Sequence, residues 1–256
     1  MHIKRRELLF AGLSSAALGM MTEPAMAIAA PSGQQSIDLW PDNRAPGGPG
    51  PQEAEKVSAK GSVTRVSRPR LVVYRPERPN GSAMLVIAGG GYAHIERGTE
   101  STPASLWLQS QGVTAFELVY RLPGEHWPAV APLQDGQRAM RVIRASAQAF
   151  GLDTGHIGVL GFSAGGHLAG MTAATPGVAR YQPVDEADKL SSRPDFAGLI
   201  YPVLTFMPPF DHTHARRSIV GEHPSVEESA AFSVDHLATA QMPPTFLCLL
   251  YTSRCV

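Results

Sequence analysis

Cysteine is nearly absent from this chain: of 256 residues only Cys248 and Cys255 are cysteine, and none falls between residues 31 and 247. Disulfide stapling and thiolate metal sites are therefore excluded for the body of the chain, whose stability must come from a hydrophobic core. An excess of either charge is also missing, since Lys+Arg 22 balances Asp+Glu 22. Without a basic surplus, a nucleic-acid binder driven by counterion release is excluded. No apolar run reaches the roughly 20 residues that a bilayer span needs. Charged residues make up 17% against 43% apolar, which excludes disorder for the bulk of the chain. What is abundant is glycine and proline, Gly 25 and Pro 22, and they punctuate short segments.

The first residues read as an address. Lys4, Arg5 and Arg6 precede an apolar, small-residue run from Leu8 to Met21, and Ala25-Met26-Ala27 supplies a cleavage pattern. That order predicts an export signal over residues 1–30, and the paired arginines resemble a twin-arginine signal. The protein is expected to be periplasmic or secreted, without stable membrane association after the signal is removed. Residues 31–60, rich in Pro, Gly and polar side chains, predict an extended lead-in to a domain over residues 61–247.

From residue 63 short apolar runs alternate with helical patterns. Strands are predicted at Val63–Val66, Leu71–Tyr74, Ala83–Ala88, Val113–Tyr120, Ile157–Leu160, Ala197–Tyr201 and Thr245–Leu250. Helices are predicted at Thr99–Gly112 with Leu106 and Trp107 inward, at Leu133–Phe150, and at Ser163–Ala174. Leu133, Met140, Ile143, Ala147 and Phe150 share one stripe of the second, and Gly151 ends it. Strands separated by helices of this length predict an α/β fold with a mostly parallel sheet and helices on both faces.

Gly161-Phe162-Ser163-Ala164-Gly165 matches G-x-S-x-G, and it directly follows one predicted strand and opens one predicted helix. That is the setting of a nucleophile elbow, in which Ser163 occupies a strained turn with its hydroxyl above the sheet. The helix start behind it aims backbone N–H groups at a developing oxyanion. A second donor is expected from the loop after an upstream strand, and Gly89-Gly90-Gly91-Tyr92 follows the Ala83–Ala88 strand. Gly90 and Ala164 are the expected oxyanion donors, with Gly91 as alternate. A phosphate-cradling role fails, because neither a following Lys-Ser/Thr nor G-x-G-x-x-G spacing is present.

Ala88-Gly89-Gly90-Gly91-Tyr92, Tyr120-Arg121-Leu122-Pro123, Pro132-Leu133-Gln134-Asp135, the Gly161–Ala169 segment, Arg193-Pro194-Asp195 and Tyr201-Pro202-Val203 occur in that order. Over roughly residues 37–247 the chain resembles the α/β-hydrolase superfamily, in the esterase/lipase-like branch that includes acetylxylan esterases (BD-FAE-like). The resemblance implies a serine esterase that takes short acyl groups, acetyl foremost, from a polysaccharide such as xylan or its oligosaccharides. It implies no metal and no cofactor. A prolyl-oligopeptidase-like peptidase shares the elbow and stays open, as does a non-catalytic carbohydrate-binding relative.

In such enzymes the triad runs Ser, Asp, His along the chain, and the resemblance places the Asp just beyond Pro243-Pro244-Thr245-Phe246-Leu247. Residues 248–256 contain no Asp, Glu or His. The expectation is a C-terminally truncated domain with an anomalous tail over 248–256, and little activity for this chain. His167, four residues after Ser163, is expected to pack rather than act as base. Asp195 is expected to anchor a strand start and Asp135 to order a helix start. Asp211-His212-Thr213-His214 fits no metal signature, and His126 with Trp127 is a candidate lining for the acyl pocket.

Overall fold

The computed structural model describes residues 34–249; the expected export signal and residues 250–256 lie outside that range. The strands are β1 (Ser36–Asp38), β2 (Lys56–Val57), β3 (Val63–Thr64), β4 (Arg70–Tyr74), β5 (Ala83–Ile87), β6 (Thr114–Val119), β7 (Ile157–Phe162), β8 (Ala197–Ile200) and β9 (Thr245–Cys248). The helices are α1 (Thr102–Ser110), α2 (Ala131–Ala145), α3 (Ala147–Phe150), α4 (Ser163–Ala174), α5 (His214–Val220), α6 (Val226–Ala231) and α7 (Val234–Leu237).

Seven strands form one sheet in the order β1-β4-β6-β5-β7-β8-β9. β5 through β9 pair in parallel, while β1–β4 and β4–β6 are antiparallel. The all-apolar segments Ala83–Ile87 and Ile157–Leu160 lie at the centre, where both faces are covered, as continuous apolar runs require. Leu85, Val86, Phe116, Leu118, Ile157 and Val159 are fully buried there. From β5 the chain runs by α1 to β6 on one side, then returns by α2 and α3 to β7 on the other. Right-handed crossovers in opposite directions put α1 on one face and α2 with α4 on the other, and α2 does pack on α4.

Several elements differ from expectation, each for a physical reason. The stripe Leu133, Met140, Ile143, Ala147 and Phe150 is buried as predicted, but the helix starts at Ala131 and breaks at Ser146, giving α2 and α3. Gly151 ends α3 at φ 67, the left-handed conformation that glycine adopts freely. The predicted helix Thr99–Gly112 opens as a π-turn over Arg97–Ser101. Leu106 and Trp107 do not face inward; they are 46% and 61% exposed, and Ser105 and Leu108 form the buried stripe. Adjacent positions cannot both face a core from a helix, and here polar Ser105 takes the inner place. Val63–Thr64 pairs with β2 as a small hairpin outside the main sheet, and Val63 also bridges Ile95 in antiparallel fashion.

The lead-in is partly built into the fold. Ser36–Asp38 adds an antiparallel edge to β4, and Leu39 and Trp40 are buried. Trp40 Nε1 donates to Asp135 Oδ1 at 2.8 Å. Asp135 does not serve as a helix-start residue. Its carboxylate is fully buried and ion-paired with the fully buried Arg121 at 2.8 Å, and it also accepts the Arg121 backbone N–H at 2.8 Å. Arg121 lies over the rings of Trp40 and Trp127, 5.3 and 4.9 Å from their centroids. It also donates to Gln134 Oε1 at 3.0 Å and to the Pro46 carbonyl. A long-range partner on a different segment is invisible to helix-dipole reasoning. Asp135→Ala leaves a buried guanidinium without its counter-charge, and is expected to cost about 3–5 kcal/mol in chemical denaturation. A loss below about 1 kcal/mol would mean that the pair does not anchor the lead-in.

Candidate active site

β5 and β7 are neighbours from whose C-terminal ends the chain departs in opposite directions. This is the topological switch point of the sheet, the usual ligand position of a parallel α/β fold. Gly89–Gly91 follows β5 and Ser163 follows β7, so the two predicted halves of the site come to one place.

Ser163 is the first residue of α4 and has φ 50, a conformation that non-glycine residues rarely adopt. It is half-buried, while the next residues, Ala164 to Ala173, are buried. Neighbouring packing leaves no alternative path. A Cβ at Gly165 would lie 2.4 Å from the carbonyl oxygens of both Ile87 and Ala88, and one at Gly161 would lie 2.1 Å from the Gly165 oxygen. Both glycines of the motif are thus steric requirements, and the strain sits at Ser163 between them. Ala164 N–H belongs to the first helical turn, whose donors have no intrahelical acceptor.

The glycine loop lies against this turn. A Cβ at Gly89 would be 2.8 Å from Ser163 Cβ and 2.7 Å from the Phe162 oxygen. Gly90 and Gly91 have φ 111 and φ 63, and neither N–H donates to a backbone acceptor in the loop, whereas the Gly90 oxygen accepts from Ala93 and His94 at 3.0 and 3.3 Å. The N–H groups of Gly90, Gly91 and Ala164 thus stand beside a strained serine without a described backbone acceptor.

His167 is fully buried on α4 and uses both ring nitrogens. Nε2 lies 2.7 Å from the Phe232 carbonyl oxygen and so must carry the proton. Nδ1 then accepts from the Tyr92 O–H at 2.7 Å. The ring also stacks on Phe206 at 4.5 Å between centroids. Burial drives its pKa down to about 4, partly offset by the Phe232 bond. It is a structural histidine, as expected. Asp195 accepts the Ile157 N–H at 2.9 Å and holds the starts of β7 and β8 together.

The loop histidines are dispersed. Thr213 caps α5, its hydroxyl accepting from Arg216 N–H at 3.1 Å. His214 Nδ1 donates to the Gly91 oxygen at 3.0 Å, and His212 is exposed. Among the described residues no three His, Cys, Asp or Glu side chains are grouped to hold a metal. His126 and Trp127 do not form a pocket wall. Trp127 is buried with Nε1 donating to the Val66 oxygen at 2.8 Å, while His126 points to solvent; the indole is drawn inward by Arg121. None of the described histidine hydrogen bonds reaches Ser163 Oγ.

A profile of the BD-FAE family matches residues 71–241. The chain belongs to the BD-FAE family. The matched segment holds the Gly89–Gly91 loop, Ser163 and β4 through β8 of the sheet. An acetylxylan esterase of Xylanibacter ruminicola is 33% identical over 136 residues, 53% of this chain and 25% of that protein. Endo-1,4-beta-xylanase B of Butyrivibrio fibrisolvens is 33% identical over 166 residues, 64% of this chain and 26% of that protein. The chain therefore spans about a quarter of the length of these curated relatives. Among solved structures, an acetyl ester-xyloside bifunctional hydrolase from Caldicellulosiruptor lactoaceticus superposes with a TM-score of 0.67 at 32% identity, over 84% of this chain and 73% of that one. Thermogutta terrifontis esterase 2 phosphonylated by sarin gives 0.58 at 25% identity, over 77% of this chain and 72% of that one. The fold of this BD-FAE chain is the α/β-hydrolase fold with a mostly parallel central sheet.

Sequence reasoning missed two groups around the site of this BD-FAE chain. Glu100, at the π-turn before α1, accepts the Gly89 N–H at 2.6 Å. His94, beneath Gly90, pairs with Glu96 at 2.9 Å. Neither position carries a periodicity or motif signal; only the return of the chain after the glycine loop brings them back.

The burial of neutral His167 has a consequence in acid. Its folded pKa lies below the unfolded value of about 6.5, so the unfolded state takes up protons first and stability falls as pH drops from about 6.5 towards 4. Between pH 7 and pH 5 the loss is expected to be about 2 kcal/mol. Urea titrations at the two pH values should show this difference in the wild type and a much smaller one in His167→Gln. An equal difference in both would remove His167 as its source.

Proposed function

We propose that this chain carries the core of a carboxylic-ester hydrolase that removes short acyl groups, acetyl foremost, from xylan or its oligosaccharides through an acyl-enzyme on Ser163. The observation that carries this is Ser163 itself, held at φ 50 on the first turn of α4 beside the Gly89–Gly91 loop. Support for the substrate class comes from the relatives, an acetylxylan esterase and a xylanase, and from the acetyl ester-xyloside hydrolase. Support for a serine nucleophile comes from the esterase that sarin phosphonylates, which shares this fold. An exported location, from the signal over residues 1–30, fits a polymeric substrate outside the cell.

In this scheme Ser163 Oγ attacks the ester carbonyl, and the carbonyl oxygen becomes an oxyanion facing the N–H groups of Gly90 and Ala164, with Gly91 as alternate donor. Collapse expels the sugar hydroxyl, and water then releases the acid. The Ser163 proton needs a base, and His167 is not that base, because both its nitrogens are engaged. With no described imidazole bonded to Ser163, this chain is expected to work at the level that oxyanion donors and binding alone provide, about 10³–10⁴-fold over water.

That same feature favours one second reading, a non-catalytic carbohydrate-binding relative. The two separate cleanly. The esterase reading expects one fluorophosphonate adduct on Ser163 by mass spectrometry and slow p-nitrophenyl acetate hydrolysis, both lost in Ser163→Ala. Affinity for acetylated xylo-oligosaccharides without any adduct would favour the binding reading. Turnover unchanged in Ser163→Ala refutes the nucleophile.

A further inference from the structure

Glu100 is a half-buried carboxylate that the esterase scheme leaves unused. Its Oε2 accepts the Gly89 N–H at 2.6 Å and its Oε1 accepts the Tyr201 hydroxyl at 3.1 Å. The same point beside Gly89, where a Cβ would sit, is 2.8 Å from Ser163 Cβ and 3.2 Å from Glu100 Oε2. Serine and carboxylate therefore flank one glycine. We propose that Glu100 is a positioning residue of the oxyanion loop: it fixes the Ala88–Gly89 peptide so that the next N–H groups, at Gly90 and Gly91, face the carbonyl attacked by Ser163. The proposal rests on the esterase reading for its kinetic consequence but not for its geometry.

Three observations support it. Gly89 is buried, and a buried backbone donor needs an acceptor; Glu100 is the one it has. The Gly89 oxygen is held independently, accepting Glu96 N–H at 3.1 Å, so with Glu100 in place both polar groups of Gly89 are fixed. The carboxylate is itself braced from the far side of the site. Tyr201, just after β8, has φ 37, and its N–H donates to the Cys248 oxygen of β9 at 2.6 Å. Its ring lies 6.0 Å from that of Phe162, the residue preceding Ser163. Burial raises the Glu100 pKa, against the lowering effect of the Gly89 and Tyr201 bonds. A carboxylate kept in such a place at that cost is held there by its partners.

Glu100→Gln keeps an acceptor for Gly89, and the Tyr201 hydroxyl can turn to accept from the new amide. Glu100→Ala leaves Gly89 N–H without an acceptor. Two measurements on the full chain test the proposal: hydrogen exchange at the Gly89 amide, and the second-order rate constant for fluorophosphonate labelling of Ser163. Glu100→Ala is expected to lose Gly89 protection and to label about 100-fold more slowly, the scale of a misplaced oxyanion donor. Glu100→Gln is expected to stay protected and within about threefold of the wild type. Gly89 equally protected in all three, or Glu100→Gln as slow as Glu100→Ala, overturns the proposal. If the wild type is not labelled at all, the esterase reading fails, and the exchange pattern alone still decides whether Glu100 holds the loop.

Discussion

The first turn of α4 rests directly on the end of β5, and the rest of the site follows from that contact. The Ile87 and Ala88 carbonyls stand 2.4 Å from where a Cβ on Gly165 would be, so the helix can sit this close only because position 165 has no side chain. Moving α4 out by the width of a methyl would draw Ser163 away from Gly89 and from the N–H groups of the glycine loop. Position 161 carries the same constraint from the strand side. The motif spacing is thus a record of backbone packing, and the positive φ of Ser163 is where the tight turn concentrates its strain. The N–H groups that result are fixed dipoles of the backbone, and in the proposed scheme they need no reorganisation when charge develops.

Around this close backbone contact the fold places a few buried polar groups, and each joins a peripheral segment to the sheet or to the helix α2 packed on it. Asp135 takes bonds from Arg121 on the loop after β6 and from Trp40 on the lead-in. Glu117, fully buried in β6, accepts from Tyr74, Arg97, Ser101 and Thr102. Burial alone would raise its pKa, but the Arg97 bond and charge, with the hydroxyls, hold it below the ordinary value. Arg138 on α2 reaches Asp185 and Asp188 at 2.5 and 3.0 Å and fastens the 180–190 loop. A buried ion with every lone pair engaged is not a strong source of net stability. Its effect is to penalise any arrangement in which a segment docks elsewhere, because the ion would then be left unpaired.

How much of this was legible follows the range of the interactions. The apolar runs of β5 and β7 and the glycine spacing of the elbow are local patterns, so these strands, α4 and the turn at Ser163 could be read directly. Gly151 and Gly112 likewise mark helix ends by their own conformation, at φ 67 and φ 80. The failures are non-local. Leu106 and Trp107 look inward by hydropathy, yet the rotation of α1 is set by Ser101 and Thr102 bonding to Glu117, at 2.6 and 2.7 Å. Asp135 looks like a helix-start acid, and nothing in its neighbourhood announces Trp40, which meets it through the folded lead-in. Trp127 looks like a pocket aromatic until Arg121 is seen beneath it.

The Gly89–Gly91 loop combines the two kinds of information. Its glycines are a local signal, and they give the backbone freedom without saying which way the peptides point. Direction comes from elsewhere in the chain: Glu100 on one peptide, Glu96 on the next acceptor, His214 at 3.0 Å and Ser218 at 3.4 Å on the Gly91 oxygen. Side chains from the α1 approach and from α5 therefore converge on one short loop. A glycine-rich segment left to itself would sample many orientations, and only a few of them aim N–H groups at Ser163. A five-residue motif can place a strained serine, whereas the direction of the loop N–H groups has to be imposed by the assembled fold.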